Sequence, residues 1–109
     1  MTRYADDQET ADGLLEIIEA LETMTPLTPF FDTDTAQIEF SKDLAEISAH
    51  LEAMATVCRK ENIASHIDRV ANDIGIMAEE LYSQPIDMED FTENIESLRE
   101  LVDRLESGQ

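Results

Sequence analysis

The sequence predicts an all-α protein, a single-domain up-down-up-down four-helix bundle. Three observations predict it: apolar residues recur in steps of three and four along four separate stretches, prolines or turn residues punctuate most of the gaps, and period-two alternation is absent. At 109 residues the chain has room for one domain around one core. A hydrophobic share of 42%, rich in Leu, Ile and Met, is enough to fill that core rather than leave the chain disordered.

The first helix is expected over residues 6–24, with Ala11, Leu14, Ile18 and Leu21 on one face. Asp6 followed by Glu9 is a capping-box-like start, in which the acid accepts orphan backbone N–H groups. Pro26 and Pro29 stop this helix, because proline lacks the N–H that a helix interior needs. A second helix is expected over 34–60, opened by Asp34 with Gln37 and striped by Phe40, Leu44, Ile47, Leu51, Met54 and Cys58. The stepping slips by five residues between Cys58 and Ile63, which predicts a tight turn near Glu61, with a kinked continuous helix as the alternative. The third helix, over 62–82, takes Asn62 as N-cap and carries Ile63, Ile67, Val70, Ile74, Met77 and Leu81. Pro85 breaks the chain before the fourth, over 87–106, which is capped by Asp87 and striped by Met88, Phe91, Ile95, Leu98, Val102 and Leu105. Helices of about twenty residues are roughly 30 Å long, and short links between them make consecutive neighbours antiparallel.

With 26 acids against 7 bases, the net charge of -19 repels nucleic acid and anionic membrane surfaces, so direct binding to either is not expected. The single cysteine, Cys58, cannot form an internal disulfide. The opening MTRYADDQET is polar, without the apolar run of a secretory signal, and no later run has the length to span a bilayer. Cytoplasm is the expected compartment.

No motif points to an enzyme, a cofactor or a metal. His50, Met54 and Cys58 fall at four-residue steps, but Met54 and Cys58 belong to the apolar stripe and read as core. The Glu-x-x-His pairs of di-iron bundles are missing, since Ile47 and Ile63 stand three residues before His50 and His66. His50 is followed by LEAM rather than the Lys-Gly of phosphotransfer domains, and both histidines read as boundary positions. The DTD at Asp32 to Asp34 lacks the central glycine of a calcium loop, and reads as a helix start. Gly13, Gly75 and Gly108 stand alone, so no phosphate-cradling loop is present, and no nucleophile signature accompanies Ser, His and Asp. Phe30 and Phe31 lie in the proline-flanked linker, where one or both are expected to cap the open end of the bundle; anchoring a partner is the other use of two adjacent rings.

The uneven distribution of charge is the informative feature. Between Tyr4 and Met24 there are seven acids and no base, and between Asp87 and Glu106 eight acids and two bases. Ala36 to Lys60 holds four acids and three bases, and Asn62 to Tyr82 four acids and one base. The outer helices therefore total -13 and the inner pair -4. Glu9, Asp12, Glu16 and Glu19 form a carboxylate ridge opposite the first apolar stripe, and Glu89, Glu93, Glu96, Glu100 and Asp103 form another opposite the fourth. Neighbours on a ridge are about 5–6 Å apart and each like-charged pair costs roughly 0.2–0.5 kcal/mol. Such a face predicts a non-enzymatic acidic protein that blocks a basic, nucleic-acid-binding surface of another protein, in the manner of anti-defence or nuclease-immunity inhibitors that mimic nucleic acid. The alternative is a structural or adaptor bundle, a homodimer or secretion partner, whose acidity serves solvation or salt adaptation.

Overall fold

The computed structural model describes residues 4–28 and 30–107. It contains four helices: α1 (Asp7–Met24), α2 (Asp34–Val57), α3 (Glu61–Glu80) and α4 (Met88–Glu106). Helices α1 and α4 begin as their sequences dictate. The Asp6 carboxylate accepts the Glu9 N–H at 2.8 Å, and the Asp87 carboxylate accepts the Asp90 N–H at 3.0 Å.

The two inner helices begin differently from expectation. Thr33, not Asp34, caps α2, its hydroxyl oxygen accepting the Ala36 N–H at 3.1 Å. Asp34 becomes the first helical residue, where its charge faces the positive end of the helix dipole. Gln37 does not close a capping box, because its side-chain amide donates to the Leu81 carbonyl at the end of α3. At the start of α3, Lys60 takes the N-cap position without a side-chain bond, and Asn62 lies inside the helix. The turn between α2 and α3 spans Cys58 to Lys60, a little before Glu61, and excludes a continuous kinked helix. Its geometry is held by the Cys58 N–H on the Ala55 carbonyl at 3.4 Å.

Each consecutive pair runs antiparallel. The Ser41 and Ser48 hydroxyls of α2 donate to the Ala78 and Ala71 carbonyls of α3 at 2.7 and 2.6 Å, rising numbers meeting falling ones. Small residues permit this approach: a Cβ on Gly75 would lie 3.1 Å from the Ser48 hydroxyl oxygen. Helices α1 and α4 form the second intimate pair, closing the ring of four. Helix α4 runs back along α3, so that Asp90 in its first turn lies within reach of the charges of Asp73 and Glu80 in the last turns of α3. The seam between α1 and α2 is the loosest of the four. It closes at one end only, where the Ala5 N–H bonds the Val57 carbonyl at 2.8 Å and Met54 packs over Gly13.

Leu14, Ile18, Leu51, Ile67, Val70, Ile95 and Leu98 are buried in one cluster, and Cys58 joins it. Ile47 and Met54 are only half-buried, because both face the loose seam. The far end is closed by a chain of rings, Phe31 on Phe40 at 5.1 Å and Phe40 on Phe91 at 6.1 Å between centroids. Phe31 is therefore the cap, whereas Phe30 stays 69% exposed.

Candidate acidic interaction surface

Helical periodicity sends the apolar stripes of α1 and α4 into the shared core, which leaves the positions opposite them in water. All four α1 ridge residues, Glu9, Asp12, Glu16 and Glu19, are exposed. So are Glu89, Glu93, Glu96, Glu100 and Asp103 on α4. Because α1 and α4 pack side by side, the two ridges stand on adjacent corners of the bundle and flank one face. Across that face Arg99 of α4 pairs with Glu22 of α1, bridging the helices between the ridges.

The other ion pairs lie towards the ends of these two helices. Arg104 holds Glu100 at 3.1 Å one turn away on α4. Asp7, at the start of α1, takes both Arg59 at 3.3 Å and Lys60 at 3.1 Å from the α2–α3 turn. The hydrogen bond from Lys60, aided by the charges of Lys60 and Arg59, holds the Asp7 carboxyl below its ordinary value of 3.8. The opposite shift occurs at Asp90, raised by burial and then by the neighbouring charges of Asp73, Asp87 and Glu80 where α3 ends and α4 begins.

The acidic surface extends further than a helix-by-helix sum of charge suggests. On α2, Asp43 and Glu46 turn towards α1 and line a groove with Glu16 and Glu19. The groove has a volume of about 700 Å³ and an apolar floor of Ile17, Ala20, Met24 and Ile47, with His50 at one end. Its signal in the sequence is a second stripe on each helix: Gly13, Ile17, Ala20 and Met24 on α1, and Asp43, Ile47, His50 and Met54 on α2, both in steps of four, three and four. The α2 stripe interleaves two polar residues, and closing the seam would take Asp43 and His50 out of water. The helices stay apart there and leave the side chains in water.

The remaining candidates fall in separate places. His50 is exposed in the groove, Met54 is half-buried beside Gly13, and Cys58 is buried beyond the helix end with its thiol on the Lys60 carbonyl at 3.5 Å. His66 is half-buried, one ring nitrogen 2.9 Å from the Asn62 carbonyl oxygen. Asp32 and Asp34 flank the capping Thr33 and are exposed. Among the described residues no three His, Cys, Asp or Glu side chains are arranged to hold a metal ion, and no helix is long and apolar enough to cross a membrane.

Comparison of the chain with family models, with curated proteins and with solved structures finds no match. The fold and the surface together define an all-α bundle whose chemistry on the α1/α4 side is that of carboxylates.

Proposed function

We propose that this is a non-enzymatic acidic binding protein that occupies a basic, nucleic-acid-binding surface of another protein and blocks it by mimicry. The observation that carries the reading is the side-by-side packing of α1 and α4, which puts two exposed carboxylate ridges on adjacent corners of one molecule. Helices in contact lie about 8–10 Å apart and ridge neighbours about 5–6 Å, a coarse copy of the charge spacing along a nucleic-acid strand. A field of one sign speeds the approach of a basic partner and makes association sensitive to salt. The like-charge repulsion within each ridge opposes folding of the free protein and is relieved when a partner's lysines and arginines settle between the carboxylates.

The test pairs two double reversals that change total charge equally. Glu93→Lys with Glu96→Lys, on the α4 ridge, is expected to abolish binding to a basic nucleic-acid-binding partner recovered at low salt. Glu52→Lys with Asp68→Lys, exposed on the inner helices, is expected to leave most of it. Equal weakening by the two variants, or a partner whose nucleic-acid binding is unaffected by the complex, refutes mimicry.

One observation favours the adaptor reading. Leu27, Phe30 and Tyr82 are exposed at the end of the bundle, and Phe30 and Tyr82 line one shallow hollow with Leu81 between them. A homodimer through that end would be split by Phe30→Asp, as sedimentation would show.

A further inference from the structure

We infer that the α1/α2 groove is a docking site for an amphipathic helix of a basic partner, one with an apolar stripe flanked on both sides by lysine or arginine. This goes beyond charge mimicry, since the groove opens between α1 and α2, shares only Glu16 and Glu19 with the ridges, and includes apolar burial. The groove is built for one kind of occupant. Its floor, Ile17, Ala20, Met24 and Ile47, is apolar on both walls, and Glu16 and Glu19 on one rim face Asp43 and Glu46 on the other. No lysine or arginine lines it among the described residues.

Its shape follows from the residues at its two ends. Met54 lies against Gly13, with its methyl 2.9 Å from where a Cβ would stand, and this holds α1 and α2 together at the narrow end. From Glu16 to Met24 the seam runs open for about 12 Å at 1.5 Å per residue, or a little over two helical turns. A single ridge of a partner helix, with apolar residues at steps of three and four, fits that length. Its flanking cations would then meet a rim on each side, with Glu16 and Glu19 on one and Asp43 and Glu46 on the other.

Charge selects between occupants. A second copy of this chain carries -19 and would set acidic helix against acidic rim, so self-association through the groove is opposed. Nucleic acid and anionic lipid are opposed for the same reason. A basic helix is attracted by both rims and gains the floor.

The probe is a synthetic peptide of about fourteen residues, with leucines at steps of three and four and lysines on both flanks. Its control has the same composition, with the leucines redistributed around the helix. The striped peptide is expected to bind at least about tenfold more tightly than the control, to keep measurable affinity at high salt, and to shift the methyl resonances of Ile17 and Ile47. Ala20→Lys, at an exposed position, should abolish this binding with an unchanged melt, while Glu93→Lys with Glu96→Lys should leave it largely intact. Equal affinity of the two peptides, or methyl shifts that avoid Ile17 and Ile47 in the unmutated protein, overturns the inference. Loss of mimicry with the groove intact, or the reverse, separates the two surfaces.

Discussion

Two glycine-to-alanine substitutions test how firmly the α2–α3 hairpin is held compared with the α1–α2 seam. In a helix interior this change is worth about 0.8–1.0 kcal/mol from backbone entropy alone. At Gly13 the new Cβ would fall 2.9 Å from the Met54 methyl, the far end of a flexible thioether that can swing into the groove. Gly13→Ala should therefore stabilise by about 0.5–1 kcal/mol, raising the melting temperature by roughly 2–8 °C for a domain of this size. At Gly75 the new Cβ meets the Ser48 hydroxyl oxygen at 3.1 Å, and that oxygen is fixed by its 2.6 Å bond to the Ala71 carbonyl. Moving it by a few tenths of an ångström loosens a buried bond worth about 0.5–1.5 kcal/mol, which cancels the helix gain. Gly75→Ala should leave the melt within about 2 °C of the parent. Ser48→Ala removes the obstacle, and in that background Gly75→Ala should recover its full benefit, giving a coupling of about 1 kcal/mol in a double-mutant cycle followed by urea denaturation. A Gly75→Ala gain that is the same with and without Ser48 refutes the claim that the hydroxyl holds the two helices in register.

Other expectations address the core, the cap and the titrating groups. Leu51→Ala, at a fully buried position, should cost about 2–5 kcal/mol in chemical denaturation; a loss below about half a kilocalorie would remove Leu51 from the core. Phe31→Ala should destabilise clearly, since its ring packs on Phe40, whereas Phe30→Ala should stay within about 0.5 kcal/mol. For Asp7, whose folded pKa is depressed, the stability it contributes is present above 3.8 and is lost as pH falls through the folded value. Asp7→Asn should therefore flatten the acid limb of the pH–stability curve. Asp90 works in the opposite sense: its raised pKa makes the ionised form destabilising at neutral pH, and stability is regained as pH falls through the raised value towards 3.8. Asp90→Asn should remove that gain, as melts between neutral and mildly acid pH would show.

The helices and the core were legible in the sequence because each stripe is set by local periodicity, which tertiary packing only confirms. What was not legible depends on which neighbour a helix meets. Thr33 displaced Asp34 as a cap, and Gln37 is drawn to Leu81 at the end of the neighbouring helix, a partner 44 positions away. Phe30 and Phe31 are indistinguishable in composition, and only the ring of Phe40 separates buried from exposed. The ridges on α1 and α4 were visible as spacing opposite an apolar stripe. The groove was not, because summing charge by helix assigns Asp43 and Glu46 to the inner pair, whereas the rotation of α2 sends them towards α1. A second stripe of four-three-four steps on each helix was present in the sequence, and Asp43 and His50 in the one on α2 marked the looser seam.

The unequal seams also order the molecule in time. The α2–α3 hairpin has a three-residue turn and two hydroxyl-to-carbonyl stitches, and it can form from contacts close along the chain. The α1–α4 pairing must wait for the chain to bring its two most acidic segments together, against their mutual repulsion and a large loop-closure entropy. Amides of α2 and α3 should thus be the slowest to exchange with solvent deuterium, and those along the groove side of α1 the fastest within the bundle. The strongly acidic helix bounded by the loosest seam is then also the one that lifts away first, so a basic partner arriving at α1 acts as a clamp on the least secured quarter of the fold.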